Sequence, residues 1–526
     1  MKIRKLVLLL FITLTGVFFW RQIFGGEVIY CCDNFLINIP SKVFLIEELR
    51  QGRFPLWNPY IFSGTPFFAD INNALLYPLN ALYAFLSPFR ALTLGVILNF
   101  LIALTGVYVF ARSIKLSAFG SFVAAIVFGF SGTMVVYTNN APMLQVAALL
   151  PWVVWAVSQN IIIAVLVTSL QIISGHPQLT YLTWLFVAAW VLAFRRSIPR
   201  FGLVILLVFL LTAVQTLPFL EFVKLSTRAG GGYAYATFDS LHPLSIVRLI
   251  LPTIVGNLSE GFVIAQGGSV YGYVGVLALL LAFFVKRRDP VVKFFIFAAI
   301  LSFILALGKY TPVYWIAYHI LPGLASFRSP QHFLLLYTFS MAILAGFGAD
   351  RWKKPIIIAV VFIELFAFSR NNLLSVPIAQ VNGWMDEAKK TAQKFNRPFV
   401  DQASFPYPFA MGKPFIDIPA ETEWQAKILR PNLNMLYHIP SADGYASLVL
   451  KTYRDAMNPN GSDPTGVDLR GRVKPVPTVS LIREEKQIHQ ATMIGLLLSS
   501  VGALLTLMLL IKIGSSKGRL IKQAEQ

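Results

Sequence analysis

The sequence predicts a polytopic α-helical membrane protein with about twelve transmembrane helices. Three observations predict it. Of 526 residues, 56% are hydrophobic and only 13% are charged, with a mean hydropathy of +0.67. A soluble domain cannot hide that much apolar surface. Apolar runs near 20 residues recur along the chain, the length that crosses a bilayer as a helix. Basic residues collect in alternate connections between those runs.

The expected spans are residues 5–24, 91–111, 118–138, 141–158, 160–175, 178–194, 201–220, 269–285, 291–307, 331–349, 355–370 and 491–511. The fourth to sixth are joined by very short connections, and the fifth is short for a full crossing. With the N-terminus inside, the cytoplasmic connections carry nineteen basic residues, among them Arg112, Lys115, Arg195, Arg196, Lys286, Arg287, Arg288, Arg351, Lys353 and Lys354. They carry three acids, Asp289, Asp350 and Glu525. This alternation places both termini in the cytoplasm of a multi-pass plasma-membrane protein. The net charge of +20 therefore reads as topology and attraction to anionic lipid, not as a nucleic-acid surface.

The N-terminal run "MKIRKLVLLLFITLTGVFFW" has a basic start and no small-x-small cleavage site after it. It reads as a retained first helix. Three long segments then face outward: 25–90, about 222–268, and 371–490. The domain division follows: 1–370 as a transmembrane module that includes the first outer loop, 371–490 as a small extracytoplasmic α/β domain, and 491–526 as a last helix with a basic tail. In the first loop, "PSKVFLIEELRQG" has Pro40 for a first helical turn and Gly52 for a C-terminal cap. "DINNALLYPLNALYAFLSP" places Leu75, Leu76, Leu79, Leu82 and Leu86 at helical spacing. Both read as helices lying in the membrane interface. Between them, "GRFPLWNPYIFSGTPFFAD" has Pro55, Pro59, Gly64 and Pro66 to fix a turn. Cys31 and Cys32, the two cysteines of the chain, are adjacent and bridge poorly at ordinary disulfide geometry; they read as packed small residues.

GxxxxGK[ST], HExxH, GxSxG and CxxC are all absent, which removes support for ATP-driven transport and zinc hydrolysis. What remains is a set of polar residues that topology gathers at the outer face. Asp33, in "YCCDNFLINIP", is either a general base near a low-dielectric boundary or an N-cap or loop acid facing water. Asp70 is well placed as an N-cap. His176 and Gln178 sit where Gly175 and Pro177 break the helical pattern, a place suited to lining a cavity or to a plain turn. Glu221 and Arg228 end the seventh span; Glu221 is either part of a site or the partner of Lys224 or Arg228. Arg328, in "SFRSPQHF", can bind a phosphate or extend toward headgroups. Asn58 is a candidate polar contact. Together these residues suit a phosphate-bearing molecule with a polar head.

The ordered blocks "DNFLINIP", "GRFPLWNPYIFSGTPFFAD", "VFGFSG", "GHPQ", "QTLPFLEFVKLSTRA", "SFRSPQHFLLLYTFSMAILAGFG" and "PSADGYASLVLKTY" resemble the bacterial YfhO-like membrane proteins, placed in the GT-C glycosyltransferase superfamily. The resemblance implies transfer of a sugar from a polyprenyl-phosphate donor to a cell-envelope glycan, glycolipid or protein acceptor. It implies Asp33 as the catalytic base, Arg328 beside the leaving phosphate, and His176 and Glu221 as contacts for sugar or acceptor. Many GT-C enzymes carry adjacent acids, whereas Asp33 is followed by Asn34, so the role of a divalent cation stays open. Two other readings compete: a transporter or flippase of lipid-linked sugars, and a non-catalytic envelope assembly protein.

Overall fold

The computed structural model describes residues 5–194, 197–228, 231–252, 256–257, 261–262, 272–394, 418–430, 432–441, 444–457 and 478–524. Every expected span carries a helix. Among the described residues, four helices are long and apolar enough to cross a membrane: Pro88–Ser113, Ile198–Leu225, Pro330–Ala349 and Arg483–Ile511, the last lying within the longer helix Thr478–Ala524.

The helices form two packed groups. In the first, Pro88–Ser113 packs on Ala118–Gly129 and Ala141–Val157, while Leu334–Ala349 packs on Ala118–Gly129, Val276–Phe283 and Pro290–Ala306. Their shared core is rich in aromatic rings, including Phe110, Phe128, Phe295, Phe339 and Trp190. In the second, Ile198–Leu225 packs on the last helix and on Ile161–Ile173. Close approach there is made possible by Gly495 and Gly502, whose Cα atoms face the backbone of Ala213 and of Leu210–Leu211. The opposite side of the last helix is open, with Leu497, Leu504, Met508 and Ile511 exposed, as expected of a lipid-facing surface.

Local sequence explains where the helices break. The expected span 118–138 is two helices, Ala118–Gly129 and Gly132–Tyr137. Ser131 ends the first and caps the second, accepting from Met134 N at 3.4 Å. An acid inside an apolar helix, Glu364, caps a neighbour: it accepts from Tyr273 Oη at 2.9 Å, Val276 N at 2.5 Å and Leu277 N at 3.3 Å. Those amides open the helix Val276–Phe283, so a half-buried carboxylate meets the positive end of a helix.

The connections gather at two ends of the bundle. At one end, Asp350 binds Ser117 and Gly120, and Arg351 donates to Phe284 O at 3.1 Å. At the other, here the loop face, the strand Glu27–Ile29 pairs antiparallel with Ser375–Pro377. The exit of the first helix is thereby tied to the exit of helix Pro355–Arg370.

The first long connection differs from its expectation in three ways. Helix Ile39–Arg50 forms, with Gly52 at φ +73° just beyond it. However, Ile39, Lys42, Phe44, Leu45 and Ile46 are all buried, so protein and not lipid covers this helix. The leucine-spaced stretch after Asp70 is not one helix but the turns Ile71–Asn73 and Pro78–Ala81 followed by Leu82–Phe85. Ala74 adopts φ +46° and Pro78 cannot donate to a preceding turn, which together interrupt the helix. The sulfurs of Cys31 and Cys32 are bonded, with Cα atoms 3.8 Å apart and Cys32 at φ +65°. That corrects the expectation of two unlinked thiols: the left-handed turn at Cys32 brings the adjacent side chains together.

Between these elements, Trp57–Asn58 pairs with Thr65–Pro66 as a short hairpin. Gly64, at φ +116°, sits under the Trp57 indole, where a Cβ would lie 2.7 Å from Nε1. The described part of 371–490 is mainly helical and packs on this hairpin. Ser63 N donates to Ser441 O and Ser441 N to Tyr60 O, each at 2.9 Å. Asn434 donates to Tyr60 O at 2.7 Å, and His438 pairs with Glu47 at 3.1 Å.

Candidate functional site

Asp33 precedes the short π-helix Asn34–Asn38. Its neighbour anchors it: Asn34 Nδ2 donates to Thr138 O at 2.6 Å, and Asn34 Oδ1 accepts from Ala141 N at 3.0 Å and Asn38 Nδ2 at 2.9 Å. The turn at 138–140 is thus locked against the first connection. Asn140 Nδ2 then reaches Asp33 Oδ2 at 2.8 Å, and Tyr445 donates its hydroxyl to Asp33 Oδ1 at 3.1 Å. Burial raises the Asp33 pKa above the ordinary carboxylate value, while Asn140, Tyr445 and the Arg328 guanidinium oppose that rise.

Arg328 stands exposed at the edge of the same region, its guanidinium over the Phe238 ring at 5.6 Å. Its backbone is fixed from three directions. Gln178 Nε2 donates to Arg328 O, Ser329 N donates to Phe238 O at 2.9 Å, and Ser329 Oγ donates to Asp239 Oδ2 at 3.1 Å. Gln178 therefore positions Arg328 through its amide.

His176 caps helix Pro177–Ala193, its Nδ1 accepting from Leu179 N at 3.3 Å. That bond leaves Nε2 as the protonated nitrogen of the neutral ring, a donor available to a ligand. Burial pushes the His176 pKa well down, and His332, Arg228 and Arg328 push the same way. The His176 and His332 rings cross at 5.6 Å and 77°. Gly175, at φ +102°, lets this turn sit directly on Ala74 and the Ile71 carbonyl.

Asp70 closes the other side. Its Oδ1 accepts from Asn72 N at 3.1 Å and from Asn72 Nδ2 at 2.7 Å. Burial raises its pKa, which Asn72 and Arg228 oppose. Arg228 is itself made less basic by burial and by Arg328, with Tyr235 and Asp70 holding its charge. Asp33, Asp70, His176, Arg228, Arg328 and His332 thus form one electrostatically coupled cluster drawn from five chain segments.

Two candidates stand apart. Glu221 pairs with Lys224 at 3.2 Å, one turn along its own helix, and makes no contact with the cluster among the described residues. Asn58 is fully buried, its Oδ1 accepting from Tyr60 N at 2.9 Å and its Nδ2 donating to Met435 Sδ at 3.5 Å. It frames a cavity shared with Asp70 and Tyr445.

Three participants escape the sequence reasoning: Asn140, His332 and Tyr445. His332 lies four residues after Arg328, in the short turn Pro330–Phe333 that follows it, a nearness in sequence that could have drawn it in. Asn140 and Tyr445 carry no such local signal, because each reaches Asp33 from more than 100 residues away. Among the described residues, no three of His, Cys, Asp and Glu gather as a metal site. Both Asp33 oxygens accept from neutral donors and the nearby charges are arginines. This donor set does not fit a divalent cation, and no step is derived through one.

The fold has known counterparts. Two structures of the mycobacterial arabinofuranosyltransferase AftD, one of a mutant form, superpose with TM-scores of 0.50 and 0.51 over 86% of this chain. Sequence identity is 14% and 13%. The chain shares its fold with that part of AftD. It spans about a third of the AftD chain, 32% and 34% in the two structures. A weaker similarity, TM-score 0.44 at 12% identity, links it to the oligosaccharyltransferase of Archaeoglobus fulgidus over 83% of this chain and 64% of that one. No protein-family model and no curated protein sequence matches the chain.

Proposed function

We propose that this chain is a membrane glycosyltransferase that moves a sugar from a polyprenyl-phosphate donor to a hydroxyl acceptor at the loop face, outside the cytoplasm. One observation carries the reading. A carboxylate, Asp33, lies within electrostatic reach of Arg328, which stands exposed at the edge of a cluster with the half-buried Arg228 and His176. That is the charge pattern a sugar phosphate needs.

The chemistry follows from the charges. The Asp33 carboxylate takes the proton of the acceptor hydroxyl as its oxygen attacks the anomeric carbon. The bond from that carbon to the phosphate oxygen breaks, and the phosphate departs with the electron pair. Arg328 and Arg228 stabilise the charge that grows on it. His176 Nε2–H supplies a neutral donor for a sugar or phosphate oxygen.

The AftD-like fold supports the reaction class; the ordered sequence blocks support the narrower YfhO-like placement and the cell-envelope acceptor. The test is sugar transfer by the purified chain in nanodiscs, with Arg328→Met beside wild type. Transfer reduced on the order of 100-fold in the variant agrees with the reading. Translocation of lipid-linked sugar with no transfer would favour a flippase. Binding without either would favour an assembly protein.

A further inference from the structure

Asp33 has both oxygens occupied, and its two donors differ in kind. Asn140 offers an amide from the turn that anchors the first connection. Tyr445 offers a hydroxyl, from a segment 412 residues further along. A base that removes a hydroxyl proton must first accept a hydrogen bond from that hydroxyl, and Tyr445 makes such a bond here.

Beside Tyr445 lies a cavity of about 20 Å³, enough for one water. Asn58, Asp70, Asn72, Asn73 and Asn432 line it together with Tyr445. Among the described residues, its lining has no lysine or arginine. Asp70 is 6% exposed, and among the described residues no hydrogen bond reaches its Oδ2. Amides that both donate and accept, with one acid to accept, match the paired donors and acceptors of sugar hydroxyls. The charge of Arg228 that reaches this place is already met by Asp70, so the cavity does not call for an anion.

Resting on the glycosyltransferase reading, we propose that the Tyr445 hydroxyl occupies the place of the acceptor hydroxyl. The polar cavity beside it is then the acceptor subsite, made for an uncharged, hydroxyl-rich carbohydrate. A sugar ring does not fit the present cavity, so the acceptor must displace Tyr445. Among its contacts, the segment that carries Tyr445 is held by Ser441 and Asn434 on Tyr60 and by the mutual bonds of Asn432 and Tyr445, polar bonds of the kind that acceptor hydroxyls can take over.

The experiment uses the full chain in nanodiscs with polyprenyl-phosphate sugars and no acceptor, so that water takes the acceptor's place. Tyr445→Phe, with unchanged thermal stability, is expected to raise Asp33-dependent donor hydrolysis about fivefold, because water enters the vacated position. A neutral methyl glycoside is expected to suppress that hydrolysis competitively, and the matching uronic acid to do so at least tenfold less well. Asp70→Asn is expected to weaken the neutral glycoside about tenfold. Hydrolysis unchanged or lowered in Tyr445→Phe overturns the assignment of Tyr445. Preference for the uronic acid overturns the ligand class. Loss of Asp33-dependent turnover in wild type with every donor overturns the function itself, a result distinct from both.

Discussion

Asn140 Nδ2 donates to Asp33 Oδ2 at 2.8 Å, joining the turn before helix Ala141–Val157 to the first connection. A hydrogen bond to a charged group is worth about 1.5–3 kcal/mol. Asn140→Ala removes a donor that favours the charged carboxylate, so the Asp33 pKa rises further. Less base is then present at a given pH, and the acidic limb of the pH–rate profile moves to higher pH. A profile that stays in place would contradict the role of this bond.

The burial of Asp33 makes a prediction about stability. Its folded pKa is raised above the unfolded value. Its contribution is therefore fully present below the unfolded pKa and is lost as pH rises through the folded pKa. Thermal unfolding of Asp33→Asn against wild type is expected to show a difference in favour of the variant that grows with pH across that window. A difference independent of pH would mean that Asp33 is not desolvated.

Lys42 is buried in helix Ile39–Arg50, donates to Asn73 O, and has its pKa lowered to about 7 by burial. The unfolded chain binds the extra proton between about 7 and the ordinary lysine value of 10.5, so stability rises with pH through that window. Wild type is expected to melt higher at pH 9 than at pH 7 in detergent through this group, and Lys42→Met to lose that part of the slope. An identical slope in both would place the ammonium in water.

Gly175 is where the His176 turn meets Ala74. A Cβ there would lie 2.7 Å from Ala74 Cβ and 2.9 Å from Ile71 O, at φ +102°. Gly175→Ala is expected to cost about 1–3 kcal/mol and to lower transfer, because both His176 and the Asp70 turn shift. Gly95, in helix Pro88–Ser113, has open space where a Cβ would go; Gly95→Ala is expected to leave stability equal or slightly raised. Equal effects at the two sites would contradict the packing.

Glu221 tests the boundary of the cluster. Its partner is Lys224 at the protein surface, and exposed pairs of this kind contribute about 0–1 kcal/mol. Glu221→Gln is expected to retain transfer within about twofold. A large loss would place Glu221 in the site.

The positions of helices were legible in the sequence because apolar run length and charge alternation are local signals. The helix break at His176 and the cap at Asp70 were legible for the same reason: Gly175, Pro177 and the Asp-x-Asn spacing act within a few residues. The leucine spacing after Asp70 misled, because a left-handed Ala74 outweighs periodicity. Asp33, His176, Arg228 and Arg328 come within electrostatic reach of one another in one region. Asn140 and Tyr445 were not legible, since their contacts with Asp33 are set by tertiary packing alone. Nor was the capping role of Glu364, which lies inside an apolar run and answers amides 87 and 88 residues away.

The central claim is that Asp33 takes the acceptor proton. The direct measurement is transfer from a polyprenyl-phosphate sugar by purified Asp33→Asn in nanodiscs, beside wild type of equal thermal stability. The account predicts that transfer falls at least about 1,000-fold while donor binding is retained through Arg228, Arg328 and His176. Undiminished transfer by Asp33→Asn would contradict it.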